Sequence, residues 1–253
     1  MIKEYIHSGQ CIWCGKTKPE TTFKTQPHII PEAFGGNEIG VDVCDQCNSY
    51  FGTATQGVPN MDLVFKEIFN ATKFSMSERN ADSWRKYKTV FFRYEHKRNT
   101  FVVKNTFREH IITRQFKRAL FEVFLQAYHK ETHDGNNPKF VAVREFARYN
   151  RGDLKVFYVF NNVVFTEDRD APPVLHFSQR NIDKMHETGL FSFMLHGHMF
   201  YLEVFPLAFN VNGERYLREE ANNILIVVKG NENITEMKSI YQMDFFMTRF
   251  NKE

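Results

Sequence analysis

The sequence holds no apolar run near the roughly 18 residues that a membrane helix requires, which argues against a helical span. Its first ten residues, MIKEYIHSGQ, lack the apolar core and small-residue cleavage site of a secretory leader. The expectation is a soluble, cytoplasmic protein with no membrane partner. Charge of one sign is not in excess: 33 Lys and Arg face 30 Asp and Glu, so net charge alone predicts no polyanionic partner. Internal repeats and low-complexity tracts are absent, which argues against a solenoid or a disordered linker. Cysteine is scarce. The four present all lie between positions 11 and 47, and in a reducing compartment such a group reads as metal ligands rather than disulfides.

What is abundant is phenylalanine, with 27 residues in a chain of 253, enough for a strongly aromatic core in one or two domains. The most informative stretch is Cys11 to Gly52. Two Cys-x-x-Cys pairs, Cys11/Cys14 and Cys44/Cys47, bracket 29 residues that contain His28-Ile29-Ile30-Pro31 and a Gly35-Gly36 turn. Two thiolates two residues apart grip one metal, while a following glycine such as Gly15 lets backbone amides turn toward the sulfurs. The alternatives are unrelated buried thiols or a thioredoxin-like redox pair. Two correctly spaced pairs favour a tetrahedral Cys₄ site for Zn²⁺, which would fold a segment poor in large apolar residues.

The rest of the chain predicts an α+β protein with an antiparallel sheet and a long packed helix. Residues 1–10 read as an extended arm and Thr22 to Thr25 as a strand leading into His28. An amphipathic piece follows from Met61 to Phe69, and a polar loop from Ser75 to Ser83. Tyr87 to Tyr94 and Thr100 to Val103 flank a polar turn and predict a hairpin. Phe107 to about Lys130 carries the clearest 3.6-residue period. A shorter helix is expected at Lys139 to Arg148 and another at Gln179 to Thr188. Further strands are expected at Leu154 to Phe165, Val174 to Phe177, Leu190 to Leu195, Met199 to Phe205 and Ile224 to Val228. A C-terminal amphipathic segment runs from Thr235 to Phe250. The implied organisation is a module at 1–60, a connection at 61–83 and an α+β domain at 84–253 for substrate binding, a partner or homodimerisation.

Charge is uneven. Between Trp84 and Arg118 eleven basic residues meet only Glu95 and Glu109. Such a run is either a solvated face or a phosphate-contacting surface in which Arg85, Lys86, Lys88 and Arg93 are candidate nucleic-acid contacts and Trp84 and Tyr87 offer rings for base stacking.

The ordered elements Cys-x-x-Cys, His-Ile-Ile-Pro, Gly-Gly and Val43-Cys44-x-x-Cys47-Asn48 followed by Phe51-Gly52 resemble the HNH endonuclease family, in its bacterial zinc-binding subgroup. The resemblance covers residues 11–52. It implies a ββα-metal, treble-clef-like module pinned by structural Zn²⁺, and Mg²⁺- or Mn²⁺-dependent hydrolysis of phosphodiester bonds in DNA. His28 would be the general base and Asn48 a ligand of the hard cation. The chain departs from the pattern in two places. Pro27 stands where family members carry an acidic metal ligand, and the middle asparagine expected before Cys44 is absent, with Asn37 and Asp42 the nearest substitutes.

Each of these residues has a plainer reading as well. His28 can be a structural donor beside the zinc knuckle, and Asn48 a cap of the following helix. His129 and His133, four apart, read as exposed helix-end residues, and His196-Gly197-His198 as a hairpin turn. Two other function classes stay open beside the nuclease. One is a non-catalytic zinc module that recognises nucleic acid with a degenerate HNH site. The other is a protein-interaction adaptor stapled by zinc.

Overall fold

The structure is a computed structural model and describes residues 3–76, 88–95, 100–160, 173, 175, 177–195, 197–223 and 234–243. The expected strand at Ile224 to Val228, the polar loop from Ser77 onward and the tip of the hairpin lie outside these residues, as do Trp84, Arg85, Lys86 and Tyr87.

The N-terminal arm is extended, with the Tyr5 amide donating to Phe23 O at 2.9 Å. The first cysteine pair closes a tight turn in which Cys11 N donates to Lys16 O and Gly15 N to Cys11 O. Thr22 to Thr25 does not form a strand. Its amide donors at Lys24 and Thr25 are taken by one oxygen of Asp45, each at 2.8 Å, so they do not seek a neighbouring strand. The paired backbone begins at His28, which bridges Ile39, flanked by bonds from Ile29 N to Glu38 O and from Gly40 N to Pro27 O. A single 3₁₀ turn, Glu32–Phe34, and the Gly-Gly pair reverse the chain between these positions. A side chain at position 36 would place its first carbon 2.0 Å from the Ile30 carbonyl, so only glycine fits there. Helix α1 (Asp45–Gly52) completes the module.

Helix α2 (Met61–Met76) starts at Asn60, whose Oδ1 accepts the Leu63 amide at 2.6 Å while its Nδ2 donates to Gly52 O at 2.9 Å. This N-cap therefore also ties α2 to the end of α1. A hairpin of β1 (Phe92–Glu95) and β2 (Thr100–Val103) follows. Helix α3 (Glu109–Thr132) is the long periodic helix, and most of it from Ile112 to His129 is buried on every side, including Gln115, Lys117, Arg118, Glu122 and Gln126. It is a central helix, not an amphipathic surface one.

After α3 a 3₁₀ turn capped by Asn137 leads into α4 (Val141–Ala147). Strand β3 (Val156–Phe160), helix α5 (Gln179–Thr188) and the hairpin of β4 (Leu190–Leu195) and β5 (His198–Glu203) come next. A helical turn at Pro206–Ala208, a π turn at Phe209–Gly213 and α6 (Glu214–Asn223) form a helical run not expected from the sequence. The C-terminal segment departs from expectation. Over its described part, in place of an amphipathic element, it gives the short strand β6 (Thr235–Glu236) and a 3₁₀ turn at Ile240–Met243, while residues 244–250 of the expected segment lie outside the described residues. Gln242 Oε1 accepts from both Lys238 N and Ser239 N, and Thr113 Oγ1 accepts from Ile240 N, so this backbone is held by side chains.

The antiparallel sheet runs β4-β5-β3-β6, and both α2 and α3 pack against its strand β5. The rings of Phe69 of α2, Phe116 of α3 and Phe200 of β5 meet in tilted and edge-to-face pairs with centroids 5.4–6.0 Å apart. One hydrophobic cluster extends from Cys11, Trp13 and Phe51 through Phe65 and Phe124 to Phe191 and Met243. The cysteine-bearing segment and the sheet thus share a core.

Candidate metal centre and active site

The four cysteines converge. The Sγ atoms of Cys11, Cys14, Cys44 and Cys47 all lie within 4.8 Å of one another, with Cys14 and Cys44 at 3.7 Å. Tetrahedral zinc with bonds of about 2.3 Å requires sulfurs about 3.8 Å apart, so the donor set has the size and chemistry for that ion. Without a cation the crowding is costly. Contact with Cys14 is the largest cause that pushes the Cys11 thiol up to about 12, whereas bonds from Cys11 and then Cys47 pull the half-exposed Cys14 down to about 2. Cys47 is held far above an ordinary thiol by Cys11 and Cys14 and by burial. A divalent ion removes that conflict by replacing the protons.

A cavity of about 510 Å³ is lined by His28, Glu32, Asn48, Asp62, Lys66 and Glu122, among others. His28 enters from the first bridged segment, and its Nε2 lies 3.9 Å from Glu32 Oε2. Its Nδ1 is buried and has no hydrogen-bond partner among the described residues. Asn48 projects from α1. Its Nδ2 donates to Thr25 Oγ1 and Gln26 O, both at 3.1 Å, which leaves the amide oxygen for another partner. Asn48 is therefore not the cap of α1, whose flanking residue is Cys44.

Two further carboxylates come from helices outside the Cys11–Gly52 stretch. Asp62, in the first turn of α2, is raised above an ordinary carboxyl by burial, against the pull of His28. Glu122 of α3 is raised much further, by burial first and by the charge of Asp62 second, and one of its oxygens accepts from Gln126 Nε2. Sequence spacing gives no sign of either. Asp62 looks like an ordinary first-turn acid of a helix, and Glu122 is one polar residue within a periodic helix.

Residues 11–61, about a fifth of the chain, match the family model described as HNH endonuclease. The segment belongs to that family. No curated protein and no solved structure matches the chain at a significant level. The match supports a nuclease-type function in general, and the clustered cysteines fit the zinc-binding variant of the HNH module.

The HNH module is fastened to the remaining fold at polar contacts absent from its own motif. Asp42, a candidate substitute for the missing asparagine, does not face His28. It is fully buried, and its oxygens accept from the amides of His7, Ser8 and Gly9, from Ser8 Oγ and from His129 Nε2 at 3.0 Å. Burial would raise its pKa, but these bonds, His129 first, hold it well below the usual carboxylate range. His129 is correspondingly buried, contrary to the expectation of an exposed helix-end residue. The Gly135 amide donates to its Nδ1, so Nε2 carries the hydrogen that Asp42 receives and the ring is neutral. His133 meets His7 of the arm, rings stacked at 3.6 Å. Next to the metal centre, Arg148 donates from Nε to Cys47 Sγ at 3.3 Å and lies over the Tyr50 ring at 3.8 Å. A guanidinium there offsets part of the negative charge of a four-thiolate zinc centre.

The basic run divides between structure and surface. Arg118 is buried and donates to Phe146 O, Ala147 O and Tyr50 Oη. Lys117 pairs with Asp153 at 2.9 Å, and Arg114 bonds Asn150 and Gly152. Arg114 and Lys117 fasten α3 to the loop after α4, and Arg118 fastens it to the end of α4 and to Tyr50 of α1. Lys88, Arg93 and Arg108 are exposed. His198 is a buried strand residue bonded to Tyr158 Oη and Thr72 Oγ1, while Gly197 makes the β4–β5 turn that the sequence predicts. No helix among the described residues is long and apolar enough to cross a membrane.

Proposed function

We propose that this chain is an HNH-type endonuclease that hydrolyses phosphodiester bonds in DNA, with His28 as the general base. The observation that supports the reading is the shared cavity. His28 and Asn48 come from different elements of the module and line one space large enough for a phosphate and a water, and Asn48 directly follows Cys47 of the cysteine cluster in the chain. His28 Nε2 is the nitrogen on the accessible side, since Nδ1 is buried, and from there it takes the proton of an attacking water. Lys66, one turn beyond Asp62 on α2, brings a positive charge to the same wall, where it would meet a phosphate oxygen. A bound Mg²⁺ or Mn²⁺ would supply charge neutralisation at the scissile phosphate, and the Asn48 amide oxygen is one of the groups to hold it.

The test is nicking of supercoiled plasmid by the zinc-loaded chain with Mn²⁺ or Mg²⁺. His28→Ala is expected to slow it by about a hundredfold or more. Equal rates for wild type and His28→Ala would remove His28 from the reaction.

One observation favours a second reading, a nucleic-acid-binding module that does not cleave. To act through Nε2 the ring must carry its proton on Nδ1, and Nδ1 has no acceptor. Salt-dependent DNA binding by the wild type with no metal-dependent nicking would select that reading.

A further inference from the structure

We propose that Asp62, brought to the HNH cavity on helix α2, is the carboxylate ligand of the divalent cation, in the role that Pro27 cannot fill. The inference rests on the reading of this cavity as an HNH active site.

Three observations carry it. The first is position. A side chain at Gly52 would have its first carbon 3.4 Å from Asp62 Oδ2, so the carboxylate lies over the last residue of α1. Asn48 precedes Gly52 by one helical turn and shares its face, so Asp62 and the Asn48 amide oxygen border the same space. The second is fixation. Asn60 caps α2 and grips the Gly52 carbonyl with one amide group, so the first turn of α2 is registered against the end of α1. Asp62 is two residues beyond that clamp, so its backbone position is fixed relative to α1.

The third is chemistry. Among the described residues the Asp62 carboxylate accepts no hydrogen bond and forms no ion pair, although it lies in a partly buried cavity that also holds Glu32 and Glu122. A carboxylate withdrawn from water and left without donors is unfavourable by itself. A hard cation with oxygen ligands satisfies it. One carboxylate and an amide oxygen, completed by waters and a substrate phosphate, form the ligand set that Mg²⁺ or Mn²⁺ takes. Glu122, with one oxygen held by Gln126, lines the same cavity, and burial favours its neutral form, so Asp62 is the carboxylate left for the cation.

The experiment measures Mn²⁺ binding to the zinc-loaded full chain by electron paramagnetic resonance, alongside plasmid nicking. The variants are Asp62→Asn and His28→Ala. Asp62→Asn is expected to weaken Mn²⁺ binding by about tenfold or more, with zinc content and circular dichroism unchanged. Unaltered Mn²⁺ affinity in Asp62→Asn overturns the assignment, as does a wild type that binds no Mn²⁺. Should Asp62→Asn fail to fold, Mn²⁺ broadening of wild-type amide resonances replaces it. Broadening centred on residues 28, 48 and 62 supports the site, and broadening centred elsewhere overturns it. The two readings fail separately. Nicking lost in His28→Ala but kept in Asp62→Asn with unchanged Mn²⁺ dependence removes Asp62 and leaves the nuclease. Mn²⁺ held through Asp62 without any nicking supports the cation site and removes the nuclease.

Discussion

Asp42 is the residue whose role changed most between sequence and structure. Both its oxygens face donors: Oδ1 takes the His7 and Gly9 amides, and Oδ2 takes Ser8 and His129. An asparagine amide in either orientation would turn an NH₂ group toward one of those sets. Asp42→Asn is therefore expected to cost about 3 kcal/mol in urea unfolding at neutral pH, the order found when one partner of a buried charged network is lost. The pH dependence has a definite sign. Because the folded pKa of Asp42 lies below its unfolded value of about 3.9, its stabilisation is complete above that value and disappears as pH falls toward the folded pKa. The stability gap between wild type and Asp42→Asn, measured with excess zinc, should hold from about pH 8 to about pH 5 and narrow below about pH 4. A gap that stays constant into strong acid would contradict this account. No spacing rule indicates the partnership, since Asp42 and His129 are far apart in the chain. Gly135 supports it from the other side of the ring, because a side chain there would have its first carbon 2.6 Å from His129 Cβ.

At the scale of elements, the helices with sustained apolar periods were the most legible. The α3 span is shifted by only two residues from the expected one, and α5 coincides with its expected limits. Periodicity could not say that α3 is enclosed on all sides, because that depends on α2, α4 and the sheet packing around it. The basic run shows the same limit. Arg114, Lys117 and Arg118 read as part of a charged face, yet they bond to carbonyls and to Asp153, whereas Lys88 and Arg93 at the β1–β2 hairpin remain in solvent. If the hairpin contacts DNA, Lys88→Glu with Arg93→Glu should weaken binding several-fold and flatten its dependence on salt, while thermal stability changes by less than about 0.5 kcal/mol. Fluorescence anisotropy across a salt series reads the first effect. Unchanged binding would remove the hairpin from the interface.

At the scale of the molecule, the continuous core makes the metal centre a matter for more than its own module. Trp13 and Phe51 stack edge to face next to the cysteines, and Phe34 packs on Phe65 and Phe69 of α2. Arg148 reaches the Cys47 sulfur from the end of α4. Chelation of zinc is thus expected to abolish amide protection across residues 11–52 and also to lower it in α2 and in the first half of α3. Hydrogen exchange with and without a chelator measures this. Loss confined to residues 11–52 would mean that the module unfolds independently. Structural zinc in short peptides contributes on the order of 10 kcal/mol or more, so the effect should be large.

The sequence by itself determined the four-cysteine cluster and the match of its segment to the HNH family. Those depend on local spacing: Cys-x-x-Cys places two thiolates on one turn, and His28, the Gly-Gly turn and Asn48 follow in order within one short stretch. The completion of the cavity was decided only by tertiary structure. Asp62 and Glu122 reach it from two helices whose positions are set by the Asn60 clamp and by aromatic packing between α2, α3 and the sheet. Long-range packing of this kind leaves no periodic or motif-level trace, since each residue satisfies a local rule that many others satisfy equally well. Pro27 reads in the sequence as a lost ligand; in the fold, another carboxylate stands at the same cavity.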